Sequence, residues 1–173
     1  MNNPNDNTLI FESRFESGNL GRATQVGEFV YDLELRADFN SLNQLMTQWY
    51  YFRISNIRKN QEYTFNIVNL VKADSSYNQG MKPLVYSETN ARITGNGWYR
   101  AGYDIRYFQS PTRVKKINGA DVTNYTLSFK IKFDFELDTA YLSHCYPYTY
   151  SDLMSFLNRV CNQKDTKDRL KRT

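Results

Sequence analysis

The sequence contains few of the residues that build metal centres. Its 173 residues include one histidine and two cysteines, and no H-x-x-E, H-E-x-x-H or C-x-x-C pattern is present. Zinc, copper and non-haem iron sites usually draw several ligands from these residue types. His144 and Cys145 are neighbours, so on a strand their side chains would point to opposite faces and could not bind one ion together. We therefore predict no metal ligand in this chain.

The sequence also lacks a recognisable arrangement for catalysis without a metal. The run Ser143-His144-Cys145 places no base within reach of a neighbouring nucleophile. Asp32 with Glu34, and Asp134 with Glu136, are spaced as carboxylate pairs on one strand face, and such pairs are usually solvated charge. A carboxylate-based hydrolase stays open as a competing interpretation. No glycine-rich phosphate loop is present, so we predict no catalytic residue and no cofactor-binding residue.

Long apolar runs and a strongly charged body are missing as well. No run approaches the roughly 20 residues that a membrane helix needs, and the start of the chain lacks the regions of a secretory signal. We expect a cytoplasmic location, no membrane partner, and two reduced, packed cysteines. Residues 164–173 hold five of the basic residues and two aspartates, so the net charge of +4 belongs mostly to this tail. A nearly neutral body gives a weak electrostatic footprint, and we expect no nucleic-acid partner.

Alternating apolar and polar residues are abundant, and they indicate β-strands. From Tyr125 to Leu137 seven apolar residues alternate with six polar ones, which predicts a long strand with one dry face. Glu28 to Arg36 alternates in the same way. The segments Gln48–Ile54 and Tyr63–Leu70 carry large side chains on both faces, and their short polar connection predicts that they pair antiparallel.

Further strands complete the prediction of a mainly β protein. They are Leu84–Tyr86, Trp98–Phe108 and Ala140–Tyr146, with a loop containing Pro111, Arg113, Lys115, Lys116 and Gly119 before the long strand. Because the dry faces need an opposing layer, the fold class we expect is an antiparallel β-sandwich of about eight to nine strands.

One helix is predicted at the C-terminal end. Apolar residues recur at helical spacing there: Leu153, Phe156, Leu157, Val160 and Cys161. Thr149 or Ser151 is the expected N-cap. The predicted organisation is a flexible N-terminus at 1–8, a sandwich domain at 9–149, a helix at 150–163 and a charged linker at 164–173 towards an absent domain.

Six ordered stretches give the chain a resemblance to a known family. They are Phe11-Glu-Ser-Arg-Phe-Glu-Ser-Gly-Asn-Leu20, Tyr31-Asp-Leu33, Gln48-Trp-Tyr-Tyr-Phe-Arg-Ile-Ser-Asn56, Phe65-Asn-Ile-Val-Asn-Leu70, Gly80-Met-Lys-Pro-Leu-Val-Tyr-Ser87 and Cys145-Tyr-Pro-Tyr-Thr-Tyr-Ser-Asp-Leu153. In order, they resemble the N-terminal domain of cytosolic carboxypeptidases, zinc metallopeptidases that remove glutamates from tubulin and other acidic chain ends. The resemblance covers about Leu9 to Leu157.

The resemblance implies an accessory role. In that family the domain is an antiparallel sandwich packed against a downstream carboxypeptidase domain, which holds the zinc ligands, the general base and the substrate-binding basic groups. None of those positions exists here, so this chain alone is expected to be no enzyme and to aid folding, positioning or substrate access. The implied partners are that catalytic domain in cis and, through the complete protein, tubulin or other acidic-tailed proteins.

The junction before the helix is the candidate interdomain interface. It comprises Tyr146, Pro147, Tyr148 and Tyr150. The tyrosines either pack against the partner domain or close the end of the sandwich as core residues, and both interpretations stay open. A stand-alone carbohydrate- or protein-binding sandwich is the alternative function, because the strands around Trp49 and Trp98 carry aromatic rings on both faces.

Overall fold

Two β-sheets of five strands each form the fold. The computed structural model of the protein describes residues 6–39, 45–115 and 121–162. Most of the predicted flexible N-terminus, the last residue of the predicted helix and the whole predicted linker lie outside these ranges. Residues 6–8 lie within them, where Asn56 donates from Nδ2 to the carbonyl oxygens of Asp6 and Thr8 at 2.9 and 2.8 Å.

The strands are numbered in chain order. The first sheet has the order β1 (Ile10–Glu12), β6 (Tyr51–Ser55), β12 (Ala140–Ser143), β8 (Leu84–Ser87) and β9 (Tyr99–Arg100). The second has the order β10 (Tyr103–Lys115), β11 (Asp121–Lys132), β7 (Glu62–Leu70), β3 (Val30–Leu35) and β2 (Leu20–Gly27). Two short strands, β4 (Asp38–Phe39) and β5 (Leu45–Met46), pair with each other. The mainly β sandwich expected from the sequence is confirmed.

Aromatic rings fill the space between the two sheets. Phe65 of β7 lies at the centre, with its ring centroid 5.6 Å from that of Phe129 and 6.5 Å from that of Phe52 in the opposite sheet. Tyr31 and Tyr63 flank it on neighbouring positions of the second sheet. All five side chains are almost fully buried. Burying each ring stabilises the fold by about 1.5–3 kcal/mol, which explains why the alternating pattern selects these faces.

The predicted strand from Tyr125 to Leu137 is wrong at both ends. β11 begins at Asp121, four residues earlier, and ends at Lys132. After Phe133 the chain turns towards the loop between β6 and β7: Leu137 donates its backbone N–H to the Ile57 carbonyl at 2.7 Å. Leu137 has a positive φ of 53° and is 63% exposed. The pairing of β11 with β7 shifts register between Tyr125 and Leu127.

The predicted pairing of Gln48–Ile54 with Tyr63–Leu70 is also wrong. The strands β6 and β7 belong to different sheets, where β6 pairs with β1 and β12 and β7 pairs with β11 and, in parallel, with β3. Each strand is buried on one face only, and the connection passes from one sheet to the other instead of forming a hairpin. Asn56 and Asn60 adopt positive φ values of 63° and 60°, which redirect the chain at both ends of this crossing.

The predicted strand Trp98–Phe108 divides between the two sheets. β9 ends at Arg100 and β10 starts at Tyr103, with Gly102 at a φ of 100° between them. Only glycine adopts this conformation without strain, so the chain can turn a corner here. β10 then continues to Lys115, through the first part of the predicted loop; Lys116 and Gly119 lie outside the described residues.

In the part of the chain that the structure describes, two α-helices flank the sandwich, one more than predicted. The helix α1 spans Glu88–Thr94, with Ser87 as N-cap: its Oγ accepts from the Asn90 N–H at 3.0 Å. Buried Asp138 accepts from the Ser87 hydroxyl and from the Thr89 N–H. This seven-residue helix buries no side chain, so no apolar period marks it in the sequence. A 3-10 helix, Ser76–Gln79, lies between β7 and β8.

The C-terminal helix α2 spans Tyr150–Cys161. Thr149 is its N-cap, as one of the two predicted residues, and forms a capping box with Asp152. Among the described helices, none is long and apolar enough to cross a bilayer.

Candidate docking surface and aromatic cleft

The helix α2 has an apolar side that the sandwich does not cover. None of its residues is buried, and Leu153 and Phe156 are 37% and 46% exposed. The Arg159 guanidinium lies 5.6 Å from the Phe156 ring centroid and covers only part of it. An amphipathic helix normally buries its apolar side against the fold. In this helix Leu153 and Phe156 of that side are exposed, whereas Leu157, Val160 and Cys161 are half-buried.

The predicted interface residues lie directly before this helix. The chain leaves β12 and runs through Tyr146, Pro147 and Tyr148 before Tyr150 starts α2. The three tyrosines are between 61% and 66% exposed, and Pro147 is half-buried. The alternative that the tyrosines belong to the core is therefore wrong. The name docking surface is used below for Leu153 and Phe156 together with Tyr146, Pro147, Tyr148 and Tyr150.

Hydrogen bonds hold the docking surface in place. Glu16 accepts from the Ser151 N–H through Oε1 at 2.9 Å, and this bond is the main cause that lowers the pKa of Glu16. Asp152 accepts from the Thr149 N–H at 2.8 Å, and this bond similarly lowers the pKa of Asp152. The start of α2 is thus tied to the loop between β1 and β2, although the rest of the helix makes little contact with the sandwich.

A first cleft of about 550 Å³ opens beside the tyrosines. It is lined by Ser17, Gly18, Asn19, Asp38, Trp49, Tyr146 and Tyr148. The Trp49 indole N–H donates to the Ser17 carbonyl at 2.9 Å, which fixes the ring against the loop. Gly18 is required in this loop, because a Cβ there would lie 2.3 Å from the Ser13 carbonyl oxygen.

A second cleft, of about 560 Å³, lies on the outer face of the first sheet. Its lining residues are Phe15, Glu16, Tyr51, Tyr86, Glu88, Trp98, Tyr141 and Thr149. Strand register explains the cluster of rings: Tyr86 of β8 is directly opposite Tyr141 of β12, and Trp98 immediately precedes β9. We call this feature the aromatic cleft. The sequence predicted aromatic rings on both faces of the strands near Trp49 and Trp98. It did not predict that five rings from separate segments would meet.

A buried polar chain lies beneath the same end of the sandwich. The hydroxyls of Tyr50 and Tyr77 are 2.6 Å apart, and the Tyr77 hydroxyl lies 3.2 Å from Nδ1 of His144. Burial raises the pKa of Tyr50 and of Tyr77, and burial together with Arg100 and Lys72 lowers the pKa of His144. The histidine packs against both tyrosine rings, as a structural residue does.

The cysteines only partly match the expectation. Both are free, but Cys145 is exposed and Cys161 is half-buried, so the prediction that Cys145 is packed is wrong.

The carboxylates considered for catalysis make ordinary surface contacts. Asp32 accepts from Asn66 at 2.8 Å, Glu34 lies 3.9 Å from Arg22, and Glu136 accepts from Arg58 at 3.0 Å. Across residues 6–39, 45–115 and 121–162, no group of three or more His, Cys, Asp or Glu could hold a metal ion.

The fold and these surfaces define the class of protein: a β-sandwich domain with exposed apolar and aromatic side chains. The chain belongs to the cytosolic carboxypeptidase family, as an N-terminal domain. The sequence model of the family described as cytosolic carboxypeptidase N-terminal domain matches residues 11–144.

Curated relatives agree with this assignment. Cytosolic carboxypeptidase 2 of Danio rerio is 46% identical over 159 residues, and that of Homo sapiens is 44% identical over 162 residues. Cytosolic carboxypeptidase 3 of Mus musculus is 42% identical over 156 residues. These matches cover 92%, 94% and 90% of this chain but only 21%, 17% and 15% of the relatives. The chain therefore spans about a fifth of the length of these relatives or less.

Solved structures share the fold. The crystal structure of a metallo-carboxypeptidase from Burkholderia cenocepacia matches with a TM-score of 0.57 and 18% identity, over 91% of this chain and 34% of that one. A metallo-carboxypeptidase from Pseudomonas aeruginosa matches with a TM-score of 0.54 and 18% identity, over 90% of this chain and 34% of that one.

Proposed function

We propose that this chain is a non-catalytic accessory domain, and that the docking surface packs against a carboxypeptidase domain that follows it in the complete protein. The observation that carries the proposal is the exposure of Leu153 and Phe156 on the apolar side of α2. Leaving several large apolar side chains in water gives up about 25 cal/mol for each Å² that a partner would bury. A partner domain that covers Leu153, Phe156 and the tyrosines would recover this free energy.

The position of the docking surface in the chain supports a partner in cis. It begins shortly after β12 ends and continues into α2. In the relatives, most of the sequence lies outside the matched region. A domain that follows α2 would emerge next to the exposed apolar side, so packing would require only a short connection.

The complete protein is proposed to be a cytoplasmic zinc carboxypeptidase that removes glutamates from tubulin and other acidic chain ends. The names of the relatives and the family resemblance support this proposal. The zinc ion and the catalytic residues would belong to the following domain. This domain would aid folding, positioning or substrate access.

The proposal is tested by changing the docking surface in the complete protein. The double variant Leu153→Ser, Phe156→Ser removes apolar area from α2 without touching the core. Phe108→Ser on β10 is the matched control, because Phe108 is equally exposed, at 45%, but belongs to the other sheet. We expect a lower unfolding temperature and less glutamate release for the double variant only. Equal behaviour of all three proteins would reject the docking role.

The absence of catalysis is tested separately on the 173-residue chain. The purified chain, supplied with zinc, is incubated with a polyglutamylated peptide, and released glutamate is measured. We expect none above background. Release that scales with protein concentration would show that this chain is itself an enzyme.

A stand-alone binding module is the second candidate function, favoured by the aromatic cleft. A ring-lined surface is typical of carbohydrate- and peptide-binding sandwiches. The two functions differ in what covers α2: a stand-alone module needs nothing there, so the double variant would leave its stability unchanged.

A further inference from the structure

The four outer rings of the aromatic cleft form a closed circuit. Neighbouring ring centroids are 5.9 Å apart for Tyr51 and Trp98, 5.6 Å for Trp98 and Tyr86, 6.1 Å for Tyr86 and Tyr141, and 6.1 Å for Tyr141 and Tyr51. Phe15 adds a fifth ring, 4.9 Å from Tyr51. The rings are tilted by 45° to 73° to their neighbours around this circuit, so they do not stack into a flat layer.

The charge distribution of the aromatic rings favours a cation as the ligand of this cleft. The face of an aromatic ring carries partial negative charge, and Trp gives the strongest attraction. A cation above the middle of the circuit would lie within ~6 Å of all four centroids, the range over which this attraction operates. Glu16 and Glu88 are the charged residues among those that line the cleft. Arg53 is opposite Tyr141 in the pairing of β6 with β12, but it does not line the cleft.

The carboxylates lie on elements that hold them at the rim. Glu16 accepts from the Ser151 N–H through Oε1, so its side chain is fixed between the β1–β2 loop and the start of α2. Glu88 is the first residue of α1, and the Glu88 backbone N–H donates to the Thr139 carbonyl at 3.0 Å. An acidic ligand would meet both negative charges and five ring faces, so the cleft is unsuited to polyglutamate.

The size of the cleft favours arginine. A space of about 560 Å³ is far larger than an ammonium group and accommodates a planar side chain with part of its backbone. A guanidinium group stacks on aromatic faces and donates in a forked geometry to carboxylates, whereas a lysine ammonium is a compact and strongly hydrated charge. We propose that the aromatic cleft binds an arginine side chain presented by an extended segment of a protein partner. This inference goes beyond the accessory role.

The test compares arginine with its neutral isostere. The 173-residue chain carrying Trp49→Phe retains Trp98 as its single tryptophan, so the indole signal reports on the cleft. Acetyl-Gly-Arg-Gly-amide and the matching citrulline peptide are titrated while the Trp98 indole N–H resonance and fluorescence are followed. We expect saturable binding of the arginine peptide, at least about fivefold tighter than the citrulline peptide, and weakening with salt.

Variants establish that the signal comes from this cleft. Glu88→Gln removes one carboxylate charge without removing a ring, and we expect about a threefold loss of affinity. Tyr141→Ala removes one ring of the circuit and is expected to reduce binding at least as much. Phe108→Ala removes an exposed ring on the other sheet and is expected to change nothing.

Other results would overturn the proposal. Equal binding of the arginine and citrulline peptides would indicate a neutral peptide ligand, and tighter binding of cellotetraose than of the arginine peptide would indicate a carbohydrate site. Absence of any saturable change up to the solubility limit would show that the cleft binds no arginine. Loss of folding in Tyr141→Ala would leave Glu88→Gln to decide the outcome.

Discussion

The Tyr77 hydroxyl lies 3.2 Å from Nδ1 of His144 and 2.6 Å from the Tyr50 hydroxyl, which joins the only histidine of the chain to two buried tyrosines. With Nδ1 unprotonated, Tyr77 donates to His144 and Tyr50 donates to Tyr77. Protonation of Nδ1 would turn the histidine into a donor and force both hydroxyls to reorient. Burial also lowers the pKa of His144, so it too favours the neutral imidazole.

Stability is therefore expected to fall between pH 7.5 and pH 5.5. Because the pKa of His144 is lower in the folded than in the unfolded protein, the unfolded chain binds more protons below its own pKa of about 6.5. The free energy of unfolding decreases as pH drops through this window until the folded pKa is reached. Urea unfolding at several pH values measures it. His144→Gln should flatten this part of the profile, and an unchanged profile would exclude His144 as its cause.

Substitutions at two residues of the Tyr125–Leu137 pattern are expected to change the free energy of unfolding by very different amounts. Phe129→Ala should cost about 3–5 kcal/mol, because Phe129 is fully buried against Phe65. Leu137→Ala should change the free energy of unfolding by less than about 0.5 kcal/mol, because Leu137 is mostly exposed. Denaturant unfolding gives both values. A large cost for Leu137→Ala would indicate that the predicted long strand forms after all.

Asp138 is expected to stabilise α1 by direct hydrogen bonds, although it lies about fifty residues later in the sequence. It accepts from the Thr89 and Thr139 N–H groups at 3.1 and 2.8 Å and from the Ser87 hydroxyl, and it is buried. Asp138→Ala would leave these donors unpaired, at a cost of about 1–3 kcal/mol. Exposed Asp134→Asn is the control and should be nearly neutral. A double-mutant cycle with Ser87→Ala should give less than the sum of both losses, and additive losses would argue against a shared cap.

The isolated 173-residue chain is expected to self-associate through the docking surface. Exposed apolar area that a partner normally covers favours contact between copies. Sedimentation velocity over a hundredfold concentration range should show a rising weight-average coefficient. Leu153→Glu with Phe156→Glu should abolish the rise, whereas Ile93→Glu, an equally apolar exposed change on α1, should not. A constant coefficient for the unchanged chain would contradict this expectation.

Local patterns led to several correct predictions. The faces of the strands follow from side-chain alternation, so Leu127, Phe129 and Ile131 are buried as their spacing indicates. The Thr149 cap lies within three residues of its partner Asp152, and such short-range chemistry is visible in the sequence. Helix α1 was missed because its stabilising partner, Asp138, is far away in the chain.

The sequence by itself determined which face of β11 meets the core, where α2 begins, and that one histidine and two separated cysteines offer few ligands for a metal. These properties depend on residue counts and on spacing over a few positions. Only the tertiary structure decided that β6 and β7 belong to opposite sheets, that β11 ends at Lys132, and that rings from separate segments meet in one cleft. Such features arise from contacts between residues distant in the chain, and a strand carries no local signal of which sheet it will join.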